Sequence, residues 1–477
     1  MKKNSPLLFA SMTIFLAVLG CWNCSGIKDE TQEPTPTYPV GVWTTSPDKV
    51  NLLYAKTLDF KTALDDRFPI IQVDTTQVFQ TIDGFGYTLT GGSATLLHNI
   101  ANNERAALLQ ELFGSGGNSI GISYLRISIG ASDLDETVFS YDDLPNGQTD
   151  PALLYFNLSR DTLHLIPILK EILAINPNIK IMGSPWSAPV WMKENGNSVG
   201  GSLKTQYYSA YAQYFVRYIQ SMHAQGINID AVTPQNEPQH GGNNPSLVMS
   251  AVQQTDFIKN HLGPAFITAG INTKIIIWDH NCDNPNYPIT ILNDPDAKKF
   301  IDGSAFHMYN GDESALSLVH DAHPDKNLYF TEQWTGGNSS FSGDLAWHTK
   351  HVIIGTLRNW SRIALEWNLA NDPNFNPHTP GGCSLCLGAL TVNGQTITRN
   401  VSYYIIAQAT KFVPPGSVRI GSNMTSQLPN VAFQTPEGKK VLIVLNDAST
   451  TQSFNIHCGE QWIVSTLNPG TVGTFVW

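Results

Sequence analysis

The chain has 477 residues, 42% of them hydrophobic and 14% charged, which is enough for a large core and more than one domain. Its formal net charge of -11 argues against nucleic acid and against an anionic lipid surface as partner, and leaves a neutral ligand such as a glycan open. The 11 Trp, 16 Tyr and 21 Phe mostly serve cores, but such a surplus also suits stacking on sugar faces.

At the N-terminus, Lys2 and Lys3 precede the apolar stretch Leu7 to Leu19, which is too short for a comfortable transmembrane helix. The stretch runs into Val18-Leu19-Gly20-Cys21, which resembles a bacterial lipoprotein box. Residues 1–20 therefore read as a lipoprotein signal peptide, with lipid carried on Cys21; an ordinary secretory signal cut nearby is the alternative. Residues 21–41 read as a tether, since from Lys28 onward Asp, Glu, Gln, Thr and Pro leave almost nothing to bury. Trp22 does not look like an inner-membrane retention signal. An exported lipoprotein of the outer membrane is expected, touching the membrane only through its anchor.

Residues 42–79 are expected to lend strands to a β-domain at the other end of the chain. Over residues 80–412, eight strand candidates alternate with helical or loop segments. They are Thr81 to Phe85, Ser123 to Ile129, Ile179 to Ser184, Ile229 to Thr233, Lys274 to Asp279, Gly303 to Tyr309, Asn327 to Glu332 and Ile363 to Asn368. Several are continuous apolar runs, as strands covered on both faces should be. Helical periodicity marks Ser159 to Asn176, through Leu165, Leu169, Ile172 and Leu173, and again Thr205 to Gln225, with Gly226 where a C-terminal cap belongs. Eight such units predict an α/β fold, a (β/α)8 TIM barrel. A doubly wound open sheet is the runner-up, but Gly84-Phe-Gly86 lacks the third glycine of a phosphate loop.

Cys383 and Cys386 sit in a Gly-rich loop. Half a zinc site, a redox pair and a local disulfide all fit a lone C-x-x-C. Zinc needs four ligands and no second pair stands at suitable spacing, so a disulfide is expected, with free thiols next. Over residues 413–477, short apolar runs separated by Gly, Pro, Asn and Asp predict an appended antiparallel, sandwich-like β-domain.

Two glutamates carry the chemistry. Glu237 follows the run ending at Val232, in Thr233-Pro-Gln-Asn-Glu-Pro238, where Pro238 is read as the strand terminator. Glu332 ends Leu328-Tyr-Phe-Thr-Glu332. Both lie where a parallel strand stops, the catalytic face of such a barrel. Two facing carboxylates there are the working parts of a glycoside hydrolase. Separated by about 5–5.5 Å, one protonates the leaving oxygen and the other attacks the anomeric carbon. At that distance two like charges repel by roughly 3 kcal/mol, enough to keep one of them protonated near neutral pH. Asp279 and His280, in Trp278-Asp-His-Asn281, read as polar residues of the barrel mouth rather than metal ligands.

At these residues the chain resembles glycoside hydrolase family 30, whose members include glucosylceramidases and β-1,6-glucanases. The resemblance runs from about Gln80 to Trp477. It rests on Ile82-Asp-Gly-Phe-Gly86, Leu125-Arg-Ile-Ser128, Ser184-Pro-Trp-Ser-Ala-Pro-Val-Trp191, Gln235-Asn-Glu-Pro238, Trp367-Asn-Leu-Ala370 and Lys411-Phe-Val-Pro414. It implies Glu237 as acid/base and Glu332 as nucleophile. Asn236 would bind the 2-hydroxyl, and Asp133 the hydroxyls at the far side of the ring. Trp186 and Trp367 would wall the subsite, while Arg126, His307 and Tyr309 orient carboxylates and ring hydroxyls. No metal or cofactor is implied.

Gln333-Trp334 and the cysteine loop, residues 371–390, depart from the glucosylceramidase pattern and look like the glucanase branch. Trp334 and Trp347 would extend an aromatic platform, or serve as core. The expected activity is that of a retaining β-glucoside hydrolase, with β-1,6-glucan favoured over glucosylceramide. The alternatives are a β-xylosidase or β-fucosidase of the same family, a glycosyl-transferring enzyme, and a non-catalytic glycan-binding surface lipoprotein.

Overall fold

The computed structural model describes residues 39–477. The expected signal peptide, the Cys21 anchor and nearly all of the tether lie outside the described residues.

Eight parallel strands close into a barrel: β1 (Gly84–Thr88), β2 (Tyr124–Ser128), β3 (Lys180–Ser184), β4 (Ala231–Val232), β5 (Lys274–Asn281), β6 (Ile301–His307), β7 (Asn327–Glu332) and β8 (Ser361–Asn368). Each pairs with the next, and β8 returns to β1 with Ile363 opposite Gly84 and Leu365 opposite Gly86. The period of two sorts the side chains. Tyr124, Met182, Ile276, Tyr329 and Leu365 form one apolar cluster, a plug across the barrel interior. Their strand neighbours Leu125, Ile181, Ile275, Ile277 and Leu328 join the larger core under the surrounding helices.

Two strands differ from expectation. The first lies further along the chain, because Thr81 ends a long strand of the other domain (Ile70–Thr81) and Asp83 is held by Arg362 through two 2.8 Å hydrogen bonds. Gly86 is needed in β1, since a Cβ there would come within 1.9 Å of the Tyr124 carbonyl oxygen. The strand before Glu237 is only Ala231–Val232 and stops well before Pro238. Pro234 removes the next donor after Thr233, whose N–H still reaches Gly183 at 3.0 Å.

The helix Tyr208–Ala224 buries Tyr211, Phe215, Tyr218, Ile219 and Met222, and Gly226 follows its end at a φ of 83°. The helix expected from Ser159 begins only at Leu165. Asp161 is tied instead to the Tyr141 hydroxyl at 2.6 Å, which pins the preceding turn to the loop after β2.

The C-terminal β-domain is a nine-stranded sandwich sheet that includes Val40–Thr45, Tyr54–Leu58 and Ile70–Thr81 from before the barrel. It also contains Val418–Ser422, which sequence periodicity did not mark. Its pairing is antiparallel except where Ile70–Thr81 meets Gln452–Cys458 in parallel. Alternation again decides the packing. Val431, Phe433, Val441, Ile443 and Leu445 join the barrel's core, while Ala432, Leu442 and Val444 face the sandwich's own. A sheet buried on both faces joins the two domains into one body.

Candidate active site

Glu332 is the last residue of β7, and Glu237 stands in the turn after β4. Glu237 takes a left-handed backbone, φ 45°, and its N–H donates to the Asp279 carbonyl at 3.0 Å. One carboxylate oxygen of each glutamate and a ring nitrogen of His307 lie within 4.8 Å of one another. All three residues are buried.

Arg126, in the middle of β2 and fully buried, organises the floor. Its Nη1 donates to Glu332 Oε2 at 2.6 Å, and its Nη2 to Asn236 Oδ1 at 2.6 Å and Asp279 Oδ2 at 2.9 Å. Its guanidinium lies 4.8 Å from the Trp186 ring, and Trp186 stacks on Trp367 with centroids 5.3 Å apart. The Tyr309 hydroxyl donates to Glu332 Oε1 at 2.9 Å. His307 bridges two acids, with Nε2 at 3.1 Å from Asp279 Oδ1 and Nδ1 at 3.4 Å from Glu237 Oε1.

Asp279 is the residue that sequence reasoning misplaced. It is not at the mouth but fully buried beneath the glutamates, and it also accepts from Thr233 at 2.8 Å, Thr331 at 2.7 Å and the Ser184 hydroxyl. Burial works against its charge, and Arg126 and His307 outweigh burial and hold the carboxyl well below its ordinary value. Burial also disfavours charge on His307, but the Glu332 and Asp279 charges, with hydrogen bonds to Asp279 and Glu237, push it up to about 9.

The two glutamates are close enough to share a proton. Taken singly, burial pushes Glu332 up, while at Glu237 His307 outweighs burial and draws the carboxyl down, which would put that proton on Glu332. The donors argue otherwise. Glu332 accepts from Arg126 at 2.6 Å and Tyr309 at 2.9 Å, both groups that stay protonated. Glu237 has His307 and Asn243 only at 3.4 Å. The short donors hold Glu332 as the anion and leave the proton to Glu237.

Above the pair opens a cavity of about 320 Å³. Asp133, Trp186, Tyr309, Trp334, Trp367, Cys383 and Cys386 line it, together with His240, Asn243, His280 and Asn281. Asn243 and His280 stand 3.4 and 4.0 Å from the Glu237 carboxylate, the His240 N–H donates to the Glu237 carbonyl at 2.8 Å, and Asn281 accepts from the Tyr309 N–H at 3.0 Å. Arg126 and His307 are fully buried behind this wall, with Asn236 beside them, its amide oxygen taken by Arg126. Burial, reinforced by the nearby Glu332 charge, pushes Asp133 up to about 7. Burial pushes His280 down to about 4, so it is a neutral wall residue. Cys383 and Cys386 are joined as a disulfide. Trp347 is not part of this wall; it packs on His348 and His351.

Among the described residues, Glu237, His307 and Glu332 are the one group with metal-ligand spacing. Both ring nitrogens of His307 already face carboxylates, and Arg126 puts a fixed positive charge 2.6 Å from Glu332. That donor set suits an ion-paired carboxylate dyad better than a dication.

A parallel barrel that presents two such carboxylates at its C-terminal strand ends, beside stacked tryptophans, defines a glycoside hydrolase. Comparison with known proteins narrows the class. Residues 82–413 match the glycosyl hydrolase family 30 TIM-barrel domain and residues 416–475 the family's beta sandwich domain, and the chain belongs to that family. It is 35% identical over 412 residues to an endo-1,6-beta-D-glucanase of Aspergillus fumigatus, covering 80% of this chain and 82% of that one. It is 28% identical over 426 residues to the lysosomal acid glucosylceramidase of Mus musculus, covering 84% of this chain and 81% of that one. A solved endo-beta1,6-glucanase superposes with a TM-score of 0.86 at 35% identity, covering 92% of this chain and 99% of that one.

Proposed function

We propose that this glycosidase is a retaining endo-β-1,6-glucanase. Glu332 attacks the anomeric carbon while Glu237 protonates the departing glycosidic oxygen, giving a glycosyl-enzyme ester. The ester removes the Glu332 charge, so Glu237, no longer repelled, gives up protons more readily and deprotonates the incoming water. Carboxylate oxygens within 4.8 Å of each other leave no room for a water between Glu332 and the anomeric carbon, as inversion requires.

The observation that carries the substrate is the wall around the acid. A leaving group beside Glu237 meets Asn243 and His280, with His240 lining the same cavity, all hydrogen-bonding side chains. A ceramide would strand these polar groups against hydrocarbon, whereas a second glucose would use them. The glucanase relatives support the same choice. The test is hydrolysis of linear β-1,6-glucan with products sized over time. Gentio-oligosaccharides of mixed length early in the reaction are expected. Turnover of glucosylceramide with no release from the glucan would overturn the reading.

We also propose export and anchoring through Cys21, on the residues of the N-terminal stretch. Replacing Cys21 by serine should move the protein from the membrane fraction to the soluble one; unchanged fractionation refutes the anchor.

A further inference from the structure

We infer that the Cys383–Cys386 disulfide is a positioning element of the sugar subsite, clamping Asp133 to the segment that follows the nucleophile. The inference rests on the proposed role of Asp133 as a sugar-hydroxyl acceptor.

The loop that carries the two cysteines leaves β8 and folds back over the barrel mouth, where each end of the bridged stretch grips a different part of the site. At the first end, the Cys383 N–H donates to Asp133 Oδ2 at 3.1 Å, and the Thr379 N–H to the Asp133 carbonyl at 2.9 Å. Gly382 makes this approach possible, since a Cβ there would lie 2.3 Å from that carbonyl oxygen. At the other end, Cys386 pairs with Gly336, and the Gly337 N–H donates to the Leu385 carbonyl at 2.8 Å. Gly336 lies just beyond Glu332 in the chain. The sulfurs also fill the wall itself, where Cys386 is buried with Leu134, Trp186 and Trp367, and Cys383 and Trp334 pack against that cluster.

Among the described residues, Cys383 supplies the one hydrogen bond that another residue gives to the Asp133 carboxylate. Ser384 and Leu385, between the cysteines, are exposed, so the covalent bridge reinforces the Gly337–Leu385 and Cys383–Asp133 hydrogen bonds that keep the stretch closed against solvent. Opening it releases the Cys383 N–H from Asp133 and frees that carboxylate to move away from the glucose ring. It also lets the tryptophan wall relax. Burial and the Glu332 charge would then raise Asp133 further, because the amide that favours its anion is gone.

The test is a double-mutant cycle on hydrolysis of an aryl β-glucoside. One arm removes the bridge, by Cys383→Ser with Cys386→Ser and, in case that pair fails to fold, by reduction of the intact enzyme checked by thiol titration. The other arm is Asp133→Asn. Opening the bridge should cost roughly tenfold in kcat/KM, mainly through KM, as expected for a weakened hydrogen bond to a charged group. In Asp133→Asn, opening it should cost less than about twofold, because the residue it positions is already lost. The midpoint of KM against pH should also rise when the bridge opens. A full, multiplicative penalty in both backgrounds, or no change in KM on opening, overturns the inference. A glucosidase that cleaves the aryl substrate but not β-1,6-glucan would sink the substrate proposal and leave this cycle intact.

Discussion

Asp279→Asn probes the charges beneath the catalytic pair. Asp279 accepts on one oxygen from Arg126 at 2.9 Å, Thr233 and Ser184, and on the other from His307 at 3.1 Å and Thr331. Asparagine keeps one acceptor and must point an NH2 group at the other set of donors. Arg126 cannot accept, so the amide nitrogen turns toward His307, which must then offer a lone pair and lose its charge. Two effects follow. Breaking the buried pair to Arg126 should destabilise the fold by about 3–5 kcal/mol. The second effect depends on pH. His307 is raised from 6.5 to about 9, so it contributes stability that is complete below pH 6.5 and is lost as pH rises through 9. That contribution is at most about 3 kcal/mol. Asp279 itself, held well below its ordinary value, contributes a constant amount across this window. The gap in unfolding free energy between wild type and Asp279→Asn should therefore narrow by up to about 3 kcal/mol between pH 6.5 and 9. Denaturant unfolding at several pH values measures it, and the His307 ring NMR titration should move from about 9 to below 6.5. A gap that stays constant with pH, or a His307 that titrates unchanged, would refute the charge assignment.

Glu237→Ala should lose about 10²–10⁴ in rate on a glucan but much less on an activated aryl β-glucoside, and azide should rescue it as the β-glucosyl azide. Glu332→Ala with azide should give only the α product; the opposite stereochemistry in the two variants would exchange the assigned roles. Tyr309→Phe removes a 2.9 Å hydrogen bond to Glu332 and should lower kcat by about 10- to 100-fold with the fold intact, as read by steady-state kinetics and thermal melting. Burial pushes Asp133 up to about 7, and only its ionised form accepts two sugar hydroxyls, so glucose should inhibit more strongly as pH rises from 6 to 8. In Asp133→Asn that dependence should vanish, and its persistence would mean that another group titrates.

Glu332 was legible because β7 is an apolar run whose last residue is charged, and Glu237 because an apolar run precedes it. The helices were legible where one face is apolar, as along Tyr211, Phe215, Ile219 and Met222. Asp279 was not, because its burial is compensated by Arg126 and His307 from other strands, and a charge pair so distant along the chain leaves no periodic mark. Trp278-Asp-His280 therefore resembled any polar strand end. His240 and Asn243 sit on a loop, where neither period applies, and Asn281 is the last residue of β5. Thr81 was drawn into the barrel because only two residues separate the β-prone pair Thr81-Ile82 from Phe85 of β1, whereas the pairing of Thr81 with Val418 assigns it to the other domain.

The same turn that hides Asp279 from sequence reasoning places the acid. Glu237, Trp278 and Asp279 all adopt left-handed backbone, with φ of 45°, 72° and 60°. Such conformations cost non-glycine residues on the order of 1–3 kcal/mol each and persist only where surrounding structure imposes them. Here the Glu237 N–H binds the Asp279 carbonyl at 3.0 Å, and the register of β5 against β6 shifts between Trp278 and His280. The distortion turns the Asp279 side chain inward to Arg126 while its carbonyl faces the neighbouring turn. One irregular residue thus sets both the backbone of the acid and the charge partner of the arginine that holds the nucleophile. A barrel made only of regular strands would present the two glutamates but would not couple their positions. Asp279→Asn disturbs the side-chain half of this link with almost no change of volume, and it should alter Glu332 through Arg126 and Glu237 through His307.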